Sequence, residues 1–348
     1  MQTADSISAA PRAARAHFKG PVWTLLVLAP VIAEVLSGST RTSILFVLIP
    51  EIMVWGVGAL LCRELVRRWR AGGVSLLTLG LALSVAEEFV IQQTSIAPLP
   101  FPGAHADYGR MWGINLVYLL FMLAYESVWV VLVPVSVTEL IFPDRRELPW
   151  LGRGGWIACS VAFLLGSLMA WFGWVKQARP RLGASQYTPS SGMIGAALAV
   201  IAGLIALAYV LRNVGRPVEG RTVPAWLAGL IALGMGAAWF ELIGQIFIPH
   251  PIEPWTSAFA AGAVWAVLAL VLFAWGTSRR AWGDRHTFLA CWGAVLACEA
   301  MPYISIQSWP RVDVIGKVVF DAIALAGFLW LAMKVMRRPL GDAAQKSF

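Results

Sequence analysis

The sequence predicts an all-α, polytopic membrane protein of about ten transmembrane helices. Three observations carry that expectation. Hydrophobic residues make up 59% of the 348 and charged residues only 13%, against about a quarter charged in an average soluble domain. So little charge cannot coat a soluble particle of this size. Ten apolar stretches each approach the roughly 20 residues that a membrane-crossing helix needs. The basic residues, which set a formal net charge of +8, fall in short segments between these stretches. Membrane topology predicts that placement, and it gives no nucleic-acid-binding surface.

The first 20 residues, MQTADSISAAPRAARAHFKG, are polar and basic and form an N-terminal segment, 1–20. The run Val22–Leu36 is long for the apolar core of a signal peptide and contains Glu34, so it reads as an uncleaved first span, 21–38. Further spans follow at 43–62, 73–94, 112–141, 154–175, 192–212, 224–248, 257–277, 286–304 and 314–336. Pro134 is expected to kink the long fourth span or end it early, and the ninth breaks near Pro302. Residues 21–336 make one transmembrane domain, and 337–348 a short solvated tail.

With the N-terminus inside, twenty of the 27 Lys and Arg fall on the inner side. The other seven are Arg41, Arg110, Lys176, Arg179, Arg181, Arg311 and Lys317. The positive-inside rule then puts both termini of this multi-pass protein on the cytoplasmic side of an inner (plasma) membrane. Cys62, Cys159, Cys291 and Cys298 have no metal-type spacing and lie in or near the inner half, so no disulfide framework is expected.

Two spans resemble each other. The third follows Arg67, Arg68 and Trp69 and has Gly80, then Glu87 and Glu88, then Pro98. The ninth follows Arg279, Arg280 and Trp282 and has Gly293, then Glu299, then Pro310. This predicts a parallel 4+2+4 repeat that relates the first four spans to the last four. Transporters often place their sites at such repeat interfaces.

The functional signal is acidic. Glu34, Glu51, Glu87, Glu88, Glu126, Glu241, Glu299 and Asp321 each sit within an apolar stretch. An ionisable group at that depth is costly and marks a functional site by default. The third and seventh spans also place a Gln four residues after a Glu: Glu88 and Gln92, Glu241 and Gln245. That spacing puts both on one helical face, where the Gln donates to the carboxylate and accepts from a ligand. On the predicted topology the acids collect in the outer half of the membrane. Desolvation and neighbouring carboxylates favour the neutral acid, which suits proton coupling or a cation site in which substrate replaces protons. Lys317, four residues before Asp321, is the one basic residue at this depth. The plainer reading of any single Glu is a neutral hydrogen bond between helices.

A metal site is a sharper alternative. His105, Asp107 and His250 fall in outer loops, and carboxylate with imidazole suits zinc or manganese. No H-x-x-x-H or H-E-x-x-H spacing is present, so no metal and no cofactor is predicted. Trp55, Trp129, Trp239 and Trp265 lie deep enough to line an aromatic pocket.

Two resemblances attach to short segments. Glu87-Glu88 in AEEFVIQQ resembles the start of the E-E-x-x-x-R motif of the CPBP intramembrane proteases, the family of the CAAX-prenyl endopeptidases. It implies peptide-bond hydrolysis within the membrane. Gln92 stands where that motif has Arg, and Glu126 and Glu241 stand on spans where the family supplies His. The chain, with TELIFPDRRELPWLG after the fourth span, also resembles uncharacterised bacterial polytopic membrane proteins; that resemblance implies no activity.

These readings converge on a proton-coupled transporter of a small cationic or amphipathic solute. The alternative is an intramembrane enzyme that acts on a lipid, isoprenoid or peptide bond with a buried Glu as general acid. Membrane lipid and a small molecule are the expected partners. Oligomeric state is not legible.

Overall fold

The computed structural model describes residues 19–99, 108–184, 186–215, 217–247 and 251–338. It is 78% helical. Among the described residues the strands are two dipeptides, β1 (Arg110–Met111) and β2 (Ile114–Asn115), paired antiparallel in a small hairpin.

Nine helices among the described residues are long and apolar enough to cross a membrane, and a shorter one precedes them. The short one is α1 (Gly20–Val35), at about 1.5 Å per residue some 24 Å long. The others are α2 (Thr42–Trp69), α3 (Gly73–Ile91), α4 (Leu116–Ile141), α5 (Arg153–Arg181), α6 (Ser191–Asn213), α7 (Ala225–Ile243), α8 (Trp255–Thr277), α9 (Asp284–Ile304) and α10 (Arg311–Met336). These match the ten expected spans. The second runs on to Trp69 because Arg63, Glu64 and Arg67 are neutralised by ion pairs and need no water. Pro134 does not end α4. A widened π turn, Glu126–Leu132, precedes it and accommodates the missing backbone donor.

Contacts between connecting segments sort the helix ends onto two faces. On one face Arg146 makes a bidentate pair with Asp284 at 2.7 and 2.8 Å, and Arg338 donates to Asp284 at 2.5 Å. This joins the ends of α4 and α10 to the start of α9. The end of α2 is tied to the end of α4 through Arg63 and Arg67 on Glu139. On the opposite face Ser43, at the start of α2, donates through its backbone to Asp313, at the start of α10, at 2.8 Å. Arg179 at the end of α5 donates to the Pro98 carbonyl beyond α3, at 3.2 Å. Ten alternating crossings satisfy both sets.

Helices α1–α4, α7 and α9 form the buried centre, and α5, α6, α8 and α10 surround it with exposed apolar faces such as Leu164, Leu168, Val264 and Val267. Apolar side chains facing outward are stable when lipid is the solvent. Helix α7 lies along α9, where Gly229 and Gly293 bring the two backbones together. The first and third helices, their expected counterparts, make no such interface: α1 packs on α2 and α4, and α3 on α4 and α6. The expected 4+2+4 repeat is therefore not borne out in the packing.

A Cβ at Gly293 would strike the Gly229 carbonyl. Gly293→Val is expected to destabilise the protein by about 1–3 kcal/mol, seen as a lower melting midpoint in detergent. An unchanged midpoint would contradict this contact.

Candidate functional site

Five carboxylates meet near one face of the helical centre, and each sits at a π turn. Glu34 lies in the turn Val31–Val35 that follows Pro30. Glu51 follows Pro50 and leads into Ile52–Gly56. Glu87 and Glu88 open Glu87–Ile91, and Glu126 opens Glu126–Leu132. A π turn inserts one residue into the helical register and frees backbone groups, and such turns recur at functional sites. Helix α3 ends when the amides of Gln92 and Gln93 both bond the Glu87 carbonyl, at 2.9 and 3.3 Å. Gln93 is left-handed, with φ 61°, a conformation strained for a residue with a Cβ. This bend carries the chain back so that the Ser95 hydroxyl meets Glu88 Oε2 at 2.6 Å.

Glu51, Glu87, Glu88 and Glu126 are buried and Glu34 is partly buried. Thr40 donates to Glu51, and Ser95 to Glu88. Both oxygens of Glu87 and both of Glu126 are buried and out of well-formed hydrogen-bond geometry among the described residues; the Gln92 amide lies beside Glu87 and the Ser84 hydroxyl beside Glu126. The charges of Glu34, Glu51 and Glu87 act on one another, as do those of Glu87, Glu88 and Glu126. Tyr118, two turns before Glu126 on α4, is also buried. None of the five carboxylates makes an ion pair among the described residues. The opposite face is the reverse: Glu64, Glu139 and Asp284 are all held by arginines.

The remaining expected residues divide. Gln92 lies beside Glu87 rather than Glu88. Glu299 and Asp321 form a separate group with Lys317, whose ammonium lies 2.5 Å from Asp321. Glu241 is exposed on α7 and does not join the buried carboxylates. Gln245 does not serve Glu241's carboxylate. Its amide donates to the Glu241 backbone carbonyl at 2.5 Å and its oxygen accepts from Ile252 at 2.9 Å, which ties down the chain after α7. His105, Asp107 and His250 lie outside the described residues. Among those described, no group of three or more His, Cys, Asp or Glu is placed to hold a metal.

Residues 24–172 match the model of an uncharacterized membrane protein family. The match covers less than half of the chain but includes most of α1, all of α2–α4 and all five clustered carboxylates. The expected likeness to an uncharacterised membrane-protein family thus has support, and the likeness to CPBP proteases has none. No curated protein and no solved structure matches the chain.

Sequence reasoning passed over the neutral groups near the acids: Thr40 and Ser95, which donate to Glu51 and Glu88, and Ser84, Tyr118 and Tyr125. Their signal was proximity, since Ser84 lies three residues before Glu87 and Tyr125 is adjacent to Glu126. Two of the deep tryptophans are tied into helix contacts: Trp129 donates to Ala294 at 2.8 Å and Trp265 to Met235 at 3.1 Å. Trp129 also closes a column on α4, with Phe121, Tyr125 and Trp129 stacked at 5.6 and 5.4 Å and Phe240 of α7 against all three. Glu126 thus has aromatic faces within one turn of it.

Proposed function

We propose that the protein is a proton-coupled transporter of a small cationic or amphipathic solute, seated in a bacterial inner membrane with its arginine-rich face and both termini in the cytoplasm. The carrying observation is the set of buried oxygens on Glu87 and Glu126, with only the Gln92 amide and the Ser84 hydroxyl beside them, among three further carboxylates and no paired cation among the described residues. Five clustered carboxylates cannot all remain charged in a low-dielectric interior. They must hold protons or a cation, and exchange between the two couples their movements. Glu34, Glu51, Glu87, Glu88, Gln92 and Glu126 form the site in this reading. The aromatic column beside Glu126 suits an organic cation with an apolar body.

The test is uptake into proteoliposomes of a panel that includes choline and tetraphenylphosphonium, with an imposed pH gradient. Uptake of at least one cation is expected, and it collapses when nigericin dissipates the gradient. Uptake that is the same with and without the gradient, or no uptake across the panel, would overturn the reading.

A further inference from the structure

Glu299, Lys317 and Asp321 lie on the same side of the molecule as the five carboxylates. Lys317 Nζ donates to both Asp321 oxygens at 2.5 Å and to the Glu299 carbonyl at 3.0 Å. The Tyr303 hydroxyl donates to Asp321 Oδ2 at 2.7 Å. Tyr303 is 45% exposed and Lys317 only 3%, so this group grades from surface to interior. Glu299 is half-buried, with Asp321 beside its carboxyl group and its Oε1 atom shielded from solvent.

Two side chains connect the segment that holds Glu299 to the backbone next to Glu34. Cys298 is fully buried and directly precedes Glu299 in the chain. The Tyr125 hydroxyl lies 3.6 Å from Cys298 Sγ and donates to the carbonyl of Ala33, next to Glu34. Glu34 also acts on that hydroxyl, and Ser37 lies beside it. The Tyr125 ring is held by stacking between Phe121 and Trp129. Phenylalanine would stack as well there; the hydroxyl is what joins the column to the Ala33 carbonyl and to Cys298.

We infer that Glu299, Lys317 and Asp321 form a port through which protons reach the buried carboxylates, with Cys298 and Tyr125 as the relay to Glu34. In each hop one O–H or S–H bond breaks and one forms at the next atom. The thiol and hydroxyl are restored by the next hop, so the net change is one proton moved from the Glu299 carboxyl to the Glu34 carboxylate. Lys317 holds the charge of Asp321 and leaves Glu299 as the donor. This rests on the five carboxylates being proton acceptors, but it does not require that any solute be transported.

The test follows deuterium exchange of the buried carboxyl C=O band by infrared spectroscopy, after full-length protein in lipid is moved into D2O. Tyr125→Phe and Asp321→Asn are each expected to slow that exchange about tenfold, or ~1.4 kcal/mol of barrier. Tyr125→Phe keeps the aromatic stack. Asp321→Asn does not touch it, and so carries the test if the first variant fails to fold. Unchanged exchange in the folded variants overturns the port. Because no solute is involved, that result leaves the transport reading standing, and slowed exchange without any cation uptake would sink transport and keep the port.

Discussion

Arg63→Ala is expected to lower stability by about 3–5 kcal/mol, the cost of breaking a buried ion pair by removing one partner. Arg63 is fully buried and donates to Glu139 and Glu64 at 3.0 Å, and to the carbonyls of Arg145, Arg146 and Leu148 at 3.3, 2.7 and 2.8 Å. Its guanidinium also lies 3.5 Å over the Trp150 ring. One side chain thus fastens the end of α2 to the segment after α4. Removal leaves Glu64, which is 0% exposed, with the Trp150 and Leu151 amides and the more distant Arg68 at 3.9 Å. Arg63→Lys restores a charge but not the fork, and falls between the two. Thermal unfolding in detergent checks this. An alanine variant that melts with wild type would show that the clamp contributes nothing.

The double change Glu87→Gln with Glu126→Gln is expected to reduce pH-gradient-driven cation uptake at least tenfold, with no loss of stability. The substitution keeps the shape and removes the titratable oxygens. Among the described residues no cation pairs with these oxygens, and their neighbours are the Gln92 amide and the Ser84 hydroxyl, which a glutamine can also bond. Neutral amides in their place relieve the burial cost of charge, and the melting midpoint is expected to hold or rise. Glu241→Gln serves as the control: that carboxylate is exposed on α7, and uptake should stay near wild type. A double variant that melts lower and still transports would mark the pair as structural.

The difference between Glu126 and Glu241 shows where the sequence stopped being informative. Both are single acids in apolar runs, and both helices are apolar on all faces. Such a helix carries no periodic signal for which side turns inward. Packing decides it: α4 is central and turns Glu126 inward, while α7 lays its glycine face on α9 and leaves Glu241 outside. The crossings themselves were readable because membrane thickness sets their length and arginine placement sets their alternation. The π turns were not. They arise from backbone register, and only Pro30, Pro50 and Pro134 beside three of them left a trace. The third and ninth spans share Trp, Gly and Glu spacing, but helix packing depends on the whole contact face, and the two do not pack alike.

Proton release tests the central claim most directly. Purified protein in weakly buffered detergent would receive a transported cation such as tetraphenylphosphonium while a pH indicator records the solution. The account predicts acidification that saturates with binding and is lost or sharply reduced in the Glu87→Gln, Glu126→Gln variant. Binding without acidification, or equal acidification in that variant, would contradict it.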